Sequence, residues 1–109
     1  MVKLIALFSR PEDVEGFDMH FADIHIPLVK KLPGLRRIEV ARIIGAPIGE
    51  TPSHLLSEMY FDSKGMLDEA LASPSGKAAA KDLISFAGKY VTLMIAEVSF
   101  REEIPSFGD

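Results

Sequence analysis

Residues 89–100, KYVTLMIAEVSF, decide the fold, because they read as a strand that is apolar on both faces. Side chains alternate across a strand, so Val91, Leu93 and Ile95 point one way while Met94, Ala96, Val98 and Phe100 point the other. Residues 2–9, VKLIALFS, repeat the pattern, with Val2, Leu4, Ala6 and Phe8 opposing Ile5 and Leu7. A sheet with helices on one side and water on the other would show apolar residues on one face alone. Two such strands predict cover on both sides.

Working inward, Arg10-Pro11 stops the first strand, since proline cannot extend a ladder. From Glu15 to Leu32, Phe17, Phe21, Ile24, Leu28 and Leu32 fall at helical spacing and form one stripe, ended by Pro33-Gly34. Residues 35–44, LRRIEVARII, read as a second strand, GAPIGETPS as a loop, and HLLSEMYFD as a third strand. Ser63 can cap a short helix carrying Met66, Leu67, Ala70 and Leu71. Ser73-Pro74 then restarts a helix, with serine as cap and proline at the first helical position, and Ala79, Leu83 and Phe86 supply its apolar side before Gly88. The order β-α-β-β-α-β predicts a ferredoxin-like α+β fold, a four-stranded antiparallel sheet with both helices on one face. The apolar second face then predicts a homodimer that joins its sheet faces.

The 109 residues suit a single domain spanning 1–109, with about 101–109 as a C-terminal tail. Hydrophobic residues at 48% and charged residues at 26% describe an ordinary globular chain. A formal net charge of -4 gives no basic surface for phosphates, so neither nucleic acid nor an anionic membrane is an expected partner. With no cysteine there is no disulfide, thiolate ligand or cysteine nucleophile. The apolar run near the start is too short for a signal-peptide core and alternates like a strand, so the expected location is the cytoplasm.

The sharpest chemical clue lies in residues 25–35, HIPLVKKLPGL. On a helical wheel centred on Phe21, His25 falls about 40° away and faces the seam between helix and sheet. Pro27 lies inside the same pattern, where it removes the bond to the carbonyl of Asp23 and kinks or splits the helix. A half-buried imidazole beside such a gap suits a general acid or base, and equally suits a structural hydrogen bond to a freed carbonyl. His20 falls about 140° from His25 on an unbroken helix, which predicts a surface residue and no shared metal. His54, at a strand end beside Pro52-Ser53, is expected to be solvated. Tyr60, Phe86 and Met94 are candidates to wall a small-molecule cavity. Arg37 and Glu39 share one strand face, as do Glu58 and Tyr60, in the manner of cross-strand pairs. No HExxH, P-loop or GxSxG pattern is present, and neither metal nor cofactor is expected.

HIPLVKKLPGL, together with the later SPSGKAAAKDLISFAGKYVTLMIAE, resembles the EthD family, and the likeness extends over nearly the whole chain. The resemblance implies a dimeric α+β barrel, a ligand cavity between sheet and helices, and correspondence of His25 with the histidine of the family's H-x-P-L segment. Enzymes in the wider barrel superfamily include isomerases, cyclases, cofactor-free monooxygenases and haem-degrading proteins. Three readings follow. One is a cofactor-free enzyme moving a proton on an aromatic or lactone-like degradation intermediate, with His25 as acid/base. Another is a non-catalytic ligand-binding or accessory protein supporting an oxygenase pathway. Haem chemistry is a third, for which His25 is the one evident axial ligand.

Overall fold

A computed structural model describes residues 1–106. Strand β1 (Val2–Ser9) is followed by helix α1 (Val14–His20), a π-helical turn (Phe21–His25) and a short helix α2 (Ile26–Val29). Then come strands β2 (Arg37–Arg42) and β3 (Ser53–Phe61), helices α3 (Lys64–Ala72) and α4 (Pro74–Ala87), and strand β4 (Val91–Glu97). The strands form one antiparallel sheet in the order β2-β3-β1-β4, which is the ferredoxin-like arrangement.

Local chemistry sets the element boundaries. Asp13 caps α1 by accepting from the Gly16 N–H, Ser63 caps α3 through the Met66 N–H, and Ser73 caps α4 through the Gly76 N–H. Pro74 occupies the first turn of α4, where a missing donor costs nothing. The register sorts every strand residue onto one of two faces. Leu4 faces Met59 and Ile95 across its neighbours, and Ala6 faces Ser57 and Leu93. These point toward the helices, where Phe8, Phe61, Leu67, Ala70 and Ala87 are fully enclosed. Phe8 lies edge-on to both Phe17 and Phe21 at 5.4 and 5.5 Å, which locks the first helical segment onto the sheet.

The second sheet face carries Ile5, Leu7, Leu56 and Met94 at its centre, as the alternation in β1 and β4 predicts. Around them stand Lys3, paired with Glu58 at 2.5 Å, and Arg37, paired with Glu39, with both cations over the Tyr60 ring. Beyond β4 the described part of the tail has no regular structure and leaves Phe100 exposed. The last three residues of the expected tail lie outside the described residues.

One expectation about the helices is corrected. The buried stripe is Phe17, Phe21, His25, Val29 and Leu32, whereas Ile24 is exposed and Leu28 only half-buried. The reason is the π turn, in which the Ile26 N–H bonds the carbonyl of Phe21, five residues back. A proline ring clashes with the carbonyl four residues before it, and the wider turn immediately preceding Pro27 relieves that crowding.

Candidate functional site

Asp82, on the face of α4 that meets the first helical segment, holds two imidazoles at once. Its Oδ2 accepts from His25 Nδ1 at 3.0 Å and its Oδ1 accepts from His20 Nε2 at 2.9 Å. A carboxylate only accepts, so these contacts fix the hydrogen of His25 on Nδ1 and that of His20 on Nε2. His20 is therefore not the surface residue that a regular helix requires. Residues five apart diverge by about 140° on an α-helix but lie nearly above one another where the chain makes a π turn. The Phe86 ring completes the group, stacked on His20 at 4.4 Å and tilted against His25 at 5.1 Å.

With Nδ1 occupied, the other nitrogen of His25 has no protein partner among the described residues. None of the enclosed side-chain nitrogens or oxygens there lacks a partner, so Nε2 reaches accessible space. That space is a cavity of about 70 Å³ between sheet and helices, walled by His25, Val29, Ser57, Met59, Leu83 and Leu93 among others. Burial pushes the His25 imidazole below its ordinary value, opposed by the Asp82 carboxylate and assisted by His20. A neutral ring with a lone pair on its free nitrogen is chemically able to accept a proton there.

Of the other cavity candidates, Phe86 stands behind His25, while Tyr60 and Met94 are on the opposite sheet face. Tyr60 pairs with Lys3 and Met94 with Ile5, both one residue out of phase with the helix-facing set. Tyr60 instead lines an open depression with Lys3, Arg37 and Phe100. Strand alternation assigns Tyr60 and Met94 to this face once the register is known; the sequence pattern alone does not give the register.

His54 also departs from expectation, being buried rather than solvated. The register slips between Phe8 and Ser9, leaving His54 as the extra residue of a bulge, and bulges re-aim side chains. Its Nε2 donates to Asp18 Oδ1 at 2.8 Å, and its ring meets Phe17 edge-on. Among the described residues there are thus two separate His–Asp assemblies, one at the cavity and one at the start of β3. Among the described residues no three His, Asp or Glu side chains converge in a metal-holding arrangement.

The pattern that defines the EthD domain matches residues 9–89, from the end of β1 to just before β4. The chain belongs to the EthD family. An EthD-family protein of Bacillus halodurans C-125, whose crystal structure is known, is 50% identical, with a TM-score of 0.87 over 90% of this chain and 98% of that one. An uncharacterised 11.0 kDa protein from the thcB-thcC intergenic region of Rhodococcus erythropolis is 30% identical over 97 residues, 89% of this chain and 94% of its own length. At the level of fold alone, the chain is similar to SnoaB, a cofactor-independent oxygenase from Streptomyces nogalater. That match has 17% identity and a TM-score of 0.64 over 96% of this chain and 97% of that one. Among the described residues no helix is long and apolar enough to cross a membrane.

Proposed function

We propose that this EthD-family protein is a small-molecule enzyme that works without a cofactor and moves a proton on an aromatic or lactone-like degradation intermediate. His25 is its acid/base. The observation that carries this reading is the division of labour within the ring: Nδ1 is tied to Asp82 while Nε2 opens onto the apolar cavity. Nε2 takes a proton from the substrate, the resulting imidazolium is stabilised by Asp82, and Nε2 returns the proton at another atom of the intermediate. Net, no electrons enter or leave, which is the character of an isomerisation, cyclisation or dehydration. SnoaB supports the reading to the extent that a cofactor-independent oxygenase is built on the same fold.

The working unit in this proposal is a homodimer. Ile5, Leu7, Leu56 and Met94 form an apolar centre on the sheet face that no helix covers, and a second copy placing the same face there removes it from water.

A thermal-shift panel of phenols, lactones and polyketide-like acids identifies a ligand, because binding to the folded state raises the melting temperature by mass action. With a substrate in hand, His25→Gln is expected to lower kcat by about a hundredfold or more, the usual contribution of a positioned acid/base. Turnover and a pH-rate profile unchanged in both His25→Gln and His25→Ala would refute the role.

A further inference from the structure

We propose that the cavity takes a small, uncharged molecule that presents a carbonyl or hydroxyl oxygen, and that the Ser57 hydroxyl is the group that binds this oxygen. The inference rests on the cavity being the binding site and adds its ligand class.

Ser57 sits on the helix-facing side of β3, between Leu55 and Met59 along the strand and beside Ala6 and Val40 on the neighbouring strands. Every one of those neighbours is apolar, and Ser57 itself is 3% exposed. A hydroxyl in such surroundings normally bonds something, since burying it unpaired is unfavourable. Its Oγ has no protein partner among the described residues, and it is not one of the fully enclosed atoms, so it opens onto the same cavity as His25. The remaining wall is hydrocarbon and backbone. Ser57 and His25 are thus the two polar side chains that meet a ligand there, one offering an O–H and the other a lone pair.

The wall also selects against charge. Among the described residues no lysine or arginine lines the cavity, and the charged group bonded to His25 is the Asp82 carboxylate. A carboxylate entering the cavity would leave water without gaining a counter-ion and would lie near an acidic side chain. Burial also disfavours the charged form of His25. Size narrows the class further. An apolar cavity of about 150 Å³ holds benzene, and this one is about 70 Å³. It therefore admits a molecule of a few heavy atoms or the reacting end of a longer one. Gly76, Ala79 and Ala80 of α4 keep even this space open by having little or no side chain.

The test is an amide NMR titration of the full chain at pH 8 with acetone and acetamide as neutral probes and acetate, of the same size, as the anionic one. Both neutral probes are expected to perturb resonances around Ser57, Ala79 and Leu93, and acetate is expected to leave them in place. Ser57→Ala should weaken acetone about fivefold, the loss of one neutral hydrogen bond. Equal or tighter binding of the anion, an unchanged affinity in Ser57→Ala, or no perturbation at the cavity by either neutral probe would each overturn the proposal. Deuterium uptake at the α-carbon of bound acetone in D2O reads proton transfer separately. Binding without uptake therefore counts against His25 as a base and leaves the ligand class standing.

Discussion

His25 and Asp82 come from different helical segments, 57 residues apart in sequence, yet their side chains meet at 3.0 Å and aim the free imidazole nitrogen at the cavity. The pair makes the site a joint property of the π turn and α4, so disturbing either element disturbs the chemistry.

Removing the carboxylate tests that dependence. Asp82→Ala leaves the imidazole N–H groups of buried His25 and part-exposed His20 without their acceptor, and the cost of the unpaired buried donor of His25 predicts a loss of about 1–3 kcal/mol in unfolding free energy. The imidazole nitrogen spectrum should also change, because His25 is no longer confined to the form with hydrogen on Nδ1. Asp82→Asn keeps one acceptor oxygen and should retain more of both properties than alanine does. Urea denaturation combined with nitrogen-15 NMR of the histidines reads both effects.

Acid should weaken the fold through His25. The unfolded ring takes up a proton near its ordinary value of 6.5, whereas the folded ring, lowered by burial, does so only at a lower pH. Between those two values the unfolded state binds more protons, so stability falls as the pH drops below about 6.5 and levels off beneath the folded value. In urea titrations at pH 7.5 and pH 5.0, His25→Gln should lose less stability than the parent chain over that interval. An identical loss in both would show that the ring does not contribute.

Gly76→Ala should be among the most damaging single-methyl additions. The new Cβ would lie 2.1 Å from the Ala70 carbonyl oxygen and 2.6 Å from that of Leu71, and both are backbone atoms that cannot swing aside. Forcing α3 and α4 apart should cost about 3 kcal/mol, at the upper end of overpacking effects. Gly65→Ala, whose Cβ would meet only the Ser63 hydroxyl oxygen at 3.8 Å, is the matched control and should be close to neutral. Thermal unfolding of the two variants makes the comparison.

A charge in the middle of the second sheet face tests the proposed dimer. Leu7→Glu adds a carboxylate between Leu56 and Thr92 on the side away from the helices, leaving the enclosed core untouched. Light scattering should show a dimer for the parent chain and a monomer for the variant, with the helical circular dichroism retained. A variant that stays dimeric would place the contact elsewhere.

The alternation of Val2 to Phe8 and of Val91 to Ile95, with the serine caps at Ser63 and Ser73, made the fold legible, because strand periodicity and capping are local properties of the chain. The position of His25 at the helix–sheet seam was legible for the same reason. His20 was not, since its direction depends on a π turn that wheel geometry does not anticipate, although Pro27 signalled that the helix is interrupted nearby. Asp82 was missed because nothing within α4 distinguishes it from a solvated aspartate until the two helical segments are packed together. His54 and Ser57 depend on the register and bulge of β3, and pairing is settled between strands rather than within one. Side-chain type suits Tyr60 and Met94 to a cavity wall, but their strand parity puts them on the other face.

The π turn is what lets two histidines five residues apart serve one carboxylate. Deleting one residue between Phe21 and Ile24 would leave a regular helix with the histidines four apart, about 40° from one another and still on one face, whereas a regular helix of unchanged length would set them about 140° apart. A search for paired histidines at ordinary helical spacing would pass over the pair found here. For proteins built this way, the spacing of the histidines and the type of helix between them carry meaning only when read together.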